Sequence, residues 1–418
     1  MADRISSYWV FNRPVNDMMR LQSSLNRTQE QISSGQGILS PSDDPVGAAR
    51  VMQLDQEIAL VSQYERNITL VTARLEQEEG VLAGVTSSIQ RIRELTVQAG
   101  NAALYSDSDR IAIAQEVNSR VQELFNLTNS KDGSGEYLFS GFAGDKQSFV
   151  QNPGGGYLYQ GDEGVRYVQV SRNSTVAASD TGKDAFLDIP ANVPSFYSYG
   201  NSQNTGQPPG VISQGITVNQ AQLTDFFPEN AVITFGNELD MVPPGPNITV
   251  RNKSDGRVIE GIEQRAYKSG DSITFAGMNV SISGNPAPGD KFLVDTSEKQ
   301  GLLVTVEKLA YALENFSTAS EFTAVYDEAI FNSLENLDAA LENVSQVRTR
   351  IGARINTTDN IANQHADNKL AAQDIRSSIG DLDYAEAVSR LQMEEFILKA
   401  AQQTFATVTK MSLFDFIR

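Results

Sequence analysis

Two adjacent carboxylates, Asp43 and Asp44, stand directly before Pro45 in the stretch LSPSDDPVGAARV. Paired acids on a tight turn suit three roles: metal ligand, half of a general acid–base pair, or the start of a helix. A catalytic pair needs a second cluster whose surroundings split the two pKa values, and the sequence supplies none. Aspartate at a helix N-cap accepts a hydrogen bond from an orphan N–H, and proline suits the first helical position. Negative charge there also meets the positive end of the helix dipole. Ser42, Asp43, Asp44 and Pro45 are therefore assigned to a helix-start turn, with Asp44 as its cap.

Other reactive residue types are scarce. The chain has no cysteine, which excludes disulfides and thiolate chemistry and removes the commonest zinc ligand. His365 is the sole histidine, so a Ser-His-Asp triad or a two-histidine metal site has at most one candidate. It lies in IANQHADNKLAAQ, which reads as a polar, solvated helix face. PGGGY and GDEG are glycine-rich but lack the strand–GxGxxG–helix setting of a dinucleotide site, so they read as turns. HExxH, P-loop and EF-hand patterns are absent. The N-x-S/T triplets at Asn67 and Asn126 fall inside predicted helices and are not read as glycan sites. No catalytic, cofactor-binding or metal-binding residue is assigned, and neither an enzyme activity nor a cofactor is expected.

A chain of 418 residues has room for two or three domains, at roughly 100–200 residues each. The formal charge of −19 disfavours a nucleic-acid partner, which needs clustered Lys and Arg, and disfavours an anionic membrane surface. Near the start, the only apolar run is Tyr8 to Phe11, short of the ~7–15 residues of a signal-peptide core. No apolar run reaches the ~18 residues that would span a bilayer. A soluble chain is expected, with no membrane partner and no cleavable export signal.

The elements follow from periodicity. Phe11, Met18, Leu25 and Ile32 recur every seventh residue, the seam of an amphipathic helix. Pro14 fits the first turn of that helix, and Gly35 and Gly37 end it. From Ala48 to about Ala99, Leu54, Val61, Ile68, Leu75, Leu82 and Ile89 keep the same spacing. Their partner line drifts by one position, as on a straight helix in a bundle. Ser106 and Asp109 resemble a capping box for a further helix through Ile113, Val117, Val121, Leu124 and Leu127. Alternating segments such as AVITFG, NITVRN and SITFAGMNVSISG, separated by Gly, Pro, Asn and Asp, then read as strands. Helix returns near Ser297, with Leu334, Leu337, Leu341, Val344, Ile351 and Ile355 in a three-four rhythm. The last helix carries Val388, Leu391, Leu398, Ala401, Phe405 and Val408.

The predicted fold is mainly α with an inserted β domain. It has terminal coiled-coil helices, an elongated helical rod with a short hairpin, and a central β-rich domain. The bounds are 1–40 for the N-terminal coiled-coil helix, 41–139 and 299–379 for the rod, 140–298 for the β-rich insertion, and 380–418 for the C-terminal coiled-coil helix. Phe11, Met18, Leu25 and Ile32, with Val388, Leu391, Leu398 and Phe405, form the assigned assembly seam. These stripes can pair with each other, with neighbouring subunits, or with both.

The segment QISSGQGILSPSDDPVGAARV resembles the N-terminal signature of the bacterial flagellin-like family. In that family an amphipathic helix ends in a Ser-Gly turn, and an Asp-Asp-Pro turn starts the long rod helix. The resemblance continues through DGSGEYLFSGF, SRNSTVAASDTGKDAF and NPAPGDKFLV, and closes with DLDYAEAVSRLQMEEFILKAAQQTFATVTKMSLFDFIR, which looks like the shared C-terminal helix. It covers most of the chain outside about 192–241. Within the family, GEYLFSGF and the ending MSLFDFIR look like hook-filament junction members more than the flagellin of the filament, whose ending typically carries Gln-Ala-Asn and Leu-Leu-Arg. Flagellin is the close alternative, and a secreted β-domain adhesin carried on helices is the alternative from another class.

The resemblance implies a structural subunit placed between hook and filament, outside the cell. It implies export by the flagellar type III route. Its implied partners are itself in axial assembly, the first hook-associated protein, flagellin, and an export chaperone that holds the C-terminal helix.

Overall fold

A computed structural model describes residues 7–101, 106–259, 261–316 and 323–416, with the side chains of 7–11, 107 and 410–416 outside the described set. The chain divides into two compact units, residues 1–66 with 360–418, and residues 67–359.

The first unit is helical. It contains α1 (Ser7–Ser34), the start of α2 (Pro45–Ala99), the end of α6 (Thr323–Gly380) and α7 (Tyr384–Phe416). The seven-residue recurrences mark its buried face: Leu25 on α1, Leu54 and Val61 on α2, and Leu398 on α7 are all buried. Pro14 differs from the expectation of a first-turn proline. The helix already runs from Ser7, so Pro14 sits inside it and removes one ladder hydrogen bond there. His365 also differs. It is only 8% exposed and its ring stacks on Tyr64 at 5.6 Å between centroids. Polar neighbours in sequence mark a solvated face only when no other helix covers it.

The second unit holds the rest of α2 and α6, α3 (Asp107–Thr128), the short α4 (Gln220–Phe226), α5 (Leu302–Asn315) and the inserted strands, which begin with the two-stranded pairs β1 (Phe149–Gln151) with β2 (Tyr157–Tyr159) and β3 (Tyr167–Ser171) with β4 (Ser174–Ala177). Ile68, Leu75, Leu82 and Ile89 of α2 are buried, as are Val71, Val85 and Ile92 of the drifting partner line. The capping box of α3 is complete, with both Ser106 and Asp109 bonded reciprocally. The predicted helix from about Ser297 is resolved into two, α5 and α6.

Two sheets sandwich the insertion's core. One runs β10 (Arg265–Ala266), β9 (Asn247–Asn252), β8 (Ala231–Phe235), β13 (Lys291–Lys299), β5 (Pro190–Gly200). The other joins β11 (Ser272–Phe275), β12 (Met278–Ser283) and β6 (Val211–Ile212), with β7 (Ile216–Thr217) also on β12. Period-two alternation puts Ala231, Ile233 and Phe235 of β8 inside with Phe292 and Val294 of β13. The β11–β12 hairpin turns at Ala276 and Gly277, both at positive φ, the primed-turn geometry that matches strand twist.

Candidate assembly site

The helix-start turn belongs to the first unit. Gly35 closes α1 at φ +73°, and its N–H donates to the Gln31 carbonyl at 2.8 Å. A Cβ there would meet only the tip of the exposed Tyr384 side chain, which can give way, so it is the left-handed backbone that calls for glycine. The chain then pairs with the entry to α7: Gly37 N–H donates to Gly380 O at 2.8 Å, and Leu382 N–H to Gly35 O at 3.0 Å.

The two aspartates have different tasks. Asp43 folds the turn back on itself. Its Oδ2 accepts from the Leu39 and Ser40 N–H groups at 3.2 Å, its Oδ1 accepts from Ser40 Oγ at 3.0 Å, and it pairs with Arg27. Desolvation opposes its ionisation, but the Ser40 hydrogen bonds and the Arg27 charge hold its pKa below the usual carboxylate value. Asp44 sits at the N-cap. Its Oδ1 accepts from Val46 N–H at 3.1 Å, its carbonyl accepts from Ala48 N–H at 2.8 Å, and Pro45 is the first residue of α2. Ser42 Oγ lies 2.6 Å from Ser40 Oγ. Asp44→Ala should cost about 0.5–2 kcal/mol of first-unit stability. Thermal melts of the variant and the parent chain would check this, and coincident curves would remove the cap from the account.

The apolar seams of α1 and α7 meet in one chain. Leu25 and Leu398 are buried, while Met18, Ile32, Leu391 and Phe405 are half-buried. Val388 is 41% exposed within one chain, and Ala387 beside it is fully buried. Phe11 lies outside the described side chains. Polar clasps fix the register: Ser24 Oγ donates to Glu394 Oε1 at 2.7 Å and Thr28 Oγ1 to Glu394 Oε2 at 2.9 Å. Met393 and Phe396, on the other side of α7, are 60% and 69% exposed. Such a face is apolar surface left for a further contact.

The second unit hides charged groups that periodicity did not signal. Glu78 of α2 is fully buried. Its Oε1 accepts from Asp180 N–H at 3.1 Å, and its Oε2 has no hydrogen-bond partner. Arg354 of α6 grips Asp180 through two hydrogen bonds of 2.7 and 3.0 Å. Burial pushes the Glu78 carboxyl up to about 8, and the nearby Asp180 charge adds to the shift. Arg348 holds Glu79, and Arg350 pairs with Asp184. These ion pairs lock α2, α6 and the 180–184 segment in one register. Among the described residues, no cluster of three or more His, Asp or Glu could hold a metal ion.

Residues 5–143 match the family model for the bacterial flagellin N-terminal helical region, and residues 334–417 match the bacterial flagellin C-terminal helical region. Flagellar hook-associated protein 3 of Salmonella typhimurium is 25% identical over 415 residues, covering 99% of this chain and 100% of that protein. A phase 1 flagellin of Salmonella naestved is 34% identical over 125 residues, covering 30% of this chain and 25% of that protein. The crystal structure of a flagellar hook-associated protein-3 from Legionella pneumophila is similar at 28% identity and a TM-score of 0.52, covering 79% of this chain and 99% of that one.

Proposed function

This chain belongs to the bacterial flagellin family, and from that membership we propose that it is the structural subunit joining the hook to the filament. One observation carries the choice of junction protein over filament subunit. The likeness to hook-associated protein 3 runs the length of both chains, whereas the likeness to flagellin spans only a quarter of the flagellin.

In this reading the chain stacks on the first hook-associated protein and presents a surface on which flagellin polymerises. Its copies contact one another in the same layer. The parts are assigned as terminal helices, 1–40 and 380–418, for axial contact; rod segments, 41–139 and 299–379, for the body; and the insertion, 140–298, outside those contacts. The exposed apolar face of α7 supports the axial role, because it needs cover that one chain does not supply. The same face suits a cytosolic chaperone that holds the last helix before type III export without a cleavable signal. The role is extracellular and structural, with no catalytic step. No described helix is long and apolar enough to cross a membrane.

The test is a strain lacking this chain. Cells should build hooks and shed flagellin into the medium while retaining no filament, and re-expression should restore filaments. Filaments retained at normal length in the deletion strain would rule out the junction role.

A further inference from the structure

Gln300 stands just after the last strand of the insertion, and Lys308 lies two turns further on in α5. Both are buried, as are Ser195 of β5 and Thr305 of α5. Lys308 Nζ lies 2.8 Å from Ser195 Oγ and 3.4 Å from Gln300 Oε1. It also sits 4.0 Å above the Phe196 ring. The Ser195 hydroxyl donates to the same Gln300 Oε1, and Gln300 Nε2 donates to Thr305 Oγ1 at 2.8 Å. An amine, a side-chain amide carbonyl and a hydroxyl aimed at that carbonyl oxygen are thus enclosed together. Beside them is a cavity of about 40 Å³ lined by Ser195, Gln300 and Lys308 with Gln220 and Asn336. Gln220 Oε1 and Asn336 Oδ1 are buried there without hydrogen-bond partners.

We propose that Lys308 and Gln300 are the two halves of an intramolecular isopeptide bond. Lys308 Nζ attacks Gln300 Cδ, which is bonded to the oxygen it already approaches. The new C–N bond forms as the carbonyl π pair moves onto Oε1, where the Ser195 hydroxyl stabilises the developing charge. Collapse restores the carbonyl and breaks the Cδ–Nε2 bond. The proton lost by Nζ leaves on Nε2, so the products are one secondary amide and one ammonia. No oxidant, cofactor or water is consumed.

Three features favour the step. Lys308 Nζ is held 3.4 Å from the oxygen bonded to the carbon it would attack, which removes most of the entropy cost of bringing the two groups together. Burial lowers the lysine pKa from 10.5 to about 7, so a large fraction is the nucleophilic amine near neutrality, although the Phe196 ring favours the ammonium. The cavity has room for a molecule the size of water, and Gln220 Oε1 and Asn336 Oδ1 are acceptors for the N–H groups of departing ammonia. The bond would fasten the exit of the insertion to α5, where a pulling load on the insertion enters the helices.

The experiment is the intact mass of the purified full chain after prolonged incubation at mildly alkaline pH. The chain should be lighter than its sequence by one ammonia. Cleavage after glutamates should yield a peptide containing Gln300 joined to one beginning at Lys308. This protease avoids freeing Gln300 as an N-terminus, which would itself lose ammonia. Gln300→Ala and Lys308→Met should each show their full sequence mass. The first keeps the lysine and serves if the second fails to fold. A parent chain at full sequence mass overturns the proposal. So does an ammonia loss that survives in Gln300→Ala.

Discussion

Leu398→Asp should leave the second unit folded and abolish incorporation of the chain into flagella. Leu398 is buried on α7, and α7 packs against α1. A carboxylate there has no partner in the apolar seam, and burying it unpaired costs far more than the lost methyl groups. The α1–α7 contact has little in reserve, because a helix pair depends on tertiary packing rather than propensity. The variant should therefore lose helix content and amide protection in residues 12–34 and 384–409, with the strands of the insertion unchanged. Phe396→Asp separates the two faces of α7. Phe396 is 69% exposed, so this variant should keep the α1–α7 pair and test the outer face alone. Immunodetection on isolated flagella with hydrogen exchange on the purified chain reads both effects. Normal incorporation of Leu398→Asp would refute the seam.

The second unit should lose stability as pH rises from about 4.5 to about 8, and Glu78→Gln should remove part of that slope. The folded-state pKa of Glu78 is raised from 4.5 to about 8. Across that window the unfolded chain releases the proton while the folded chain keeps it. The stabilising contribution is thus complete below the unfolded pKa and is lost as pH climbs to the folded one. Its size is on the order of a few kcal/mol. Glu307 is raised to about 8 by burial and adds a slope of the same sign. Lys308, lowered to about 7, acts in the opposite sense between about 7 and 10.5, unless its nitrogen is acylated. The difference between parent and Glu78→Gln isolates one group, since glutamine keeps the acceptor for Asp180 N–H. Chemical denaturation at a series of pH values measures it. Parallel stability curves for the two proteins would show that Glu78 does not titrate in this window.

Much of this architecture was written along the chain. The seven-residue recurrences from Leu54 to Ile89 mark helix α2 because a helix brings every third and fourth residue to one face, whatever lies opposite. Asp44 with Pro45, and Ser106 with Asp109, mark helix starts because capping groups lie within three residues of the N–H they satisfy. Alternation in AVITF marks a half-buried strand for a similar local reason. Other features depended on which distant segment arrives. His365 reads as solvated until Tyr64 covers it. The burial of Glu78 depends on the 178–184 segment, whose Asp180 bonds it and is itself held by Arg354. Within one chain Ala387 is buried while Val388 beside it is 41% exposed. Lys308 is one lysine in an apolar helix until Ser195, more than a hundred residues away in sequence, supplies its nearest polar contact. Local hydrogen bonds and periodicity need only near neighbours, so sequence specifies them. The burial of a polar group and its pKa depend on long-range packing, so the tertiary structure decides them.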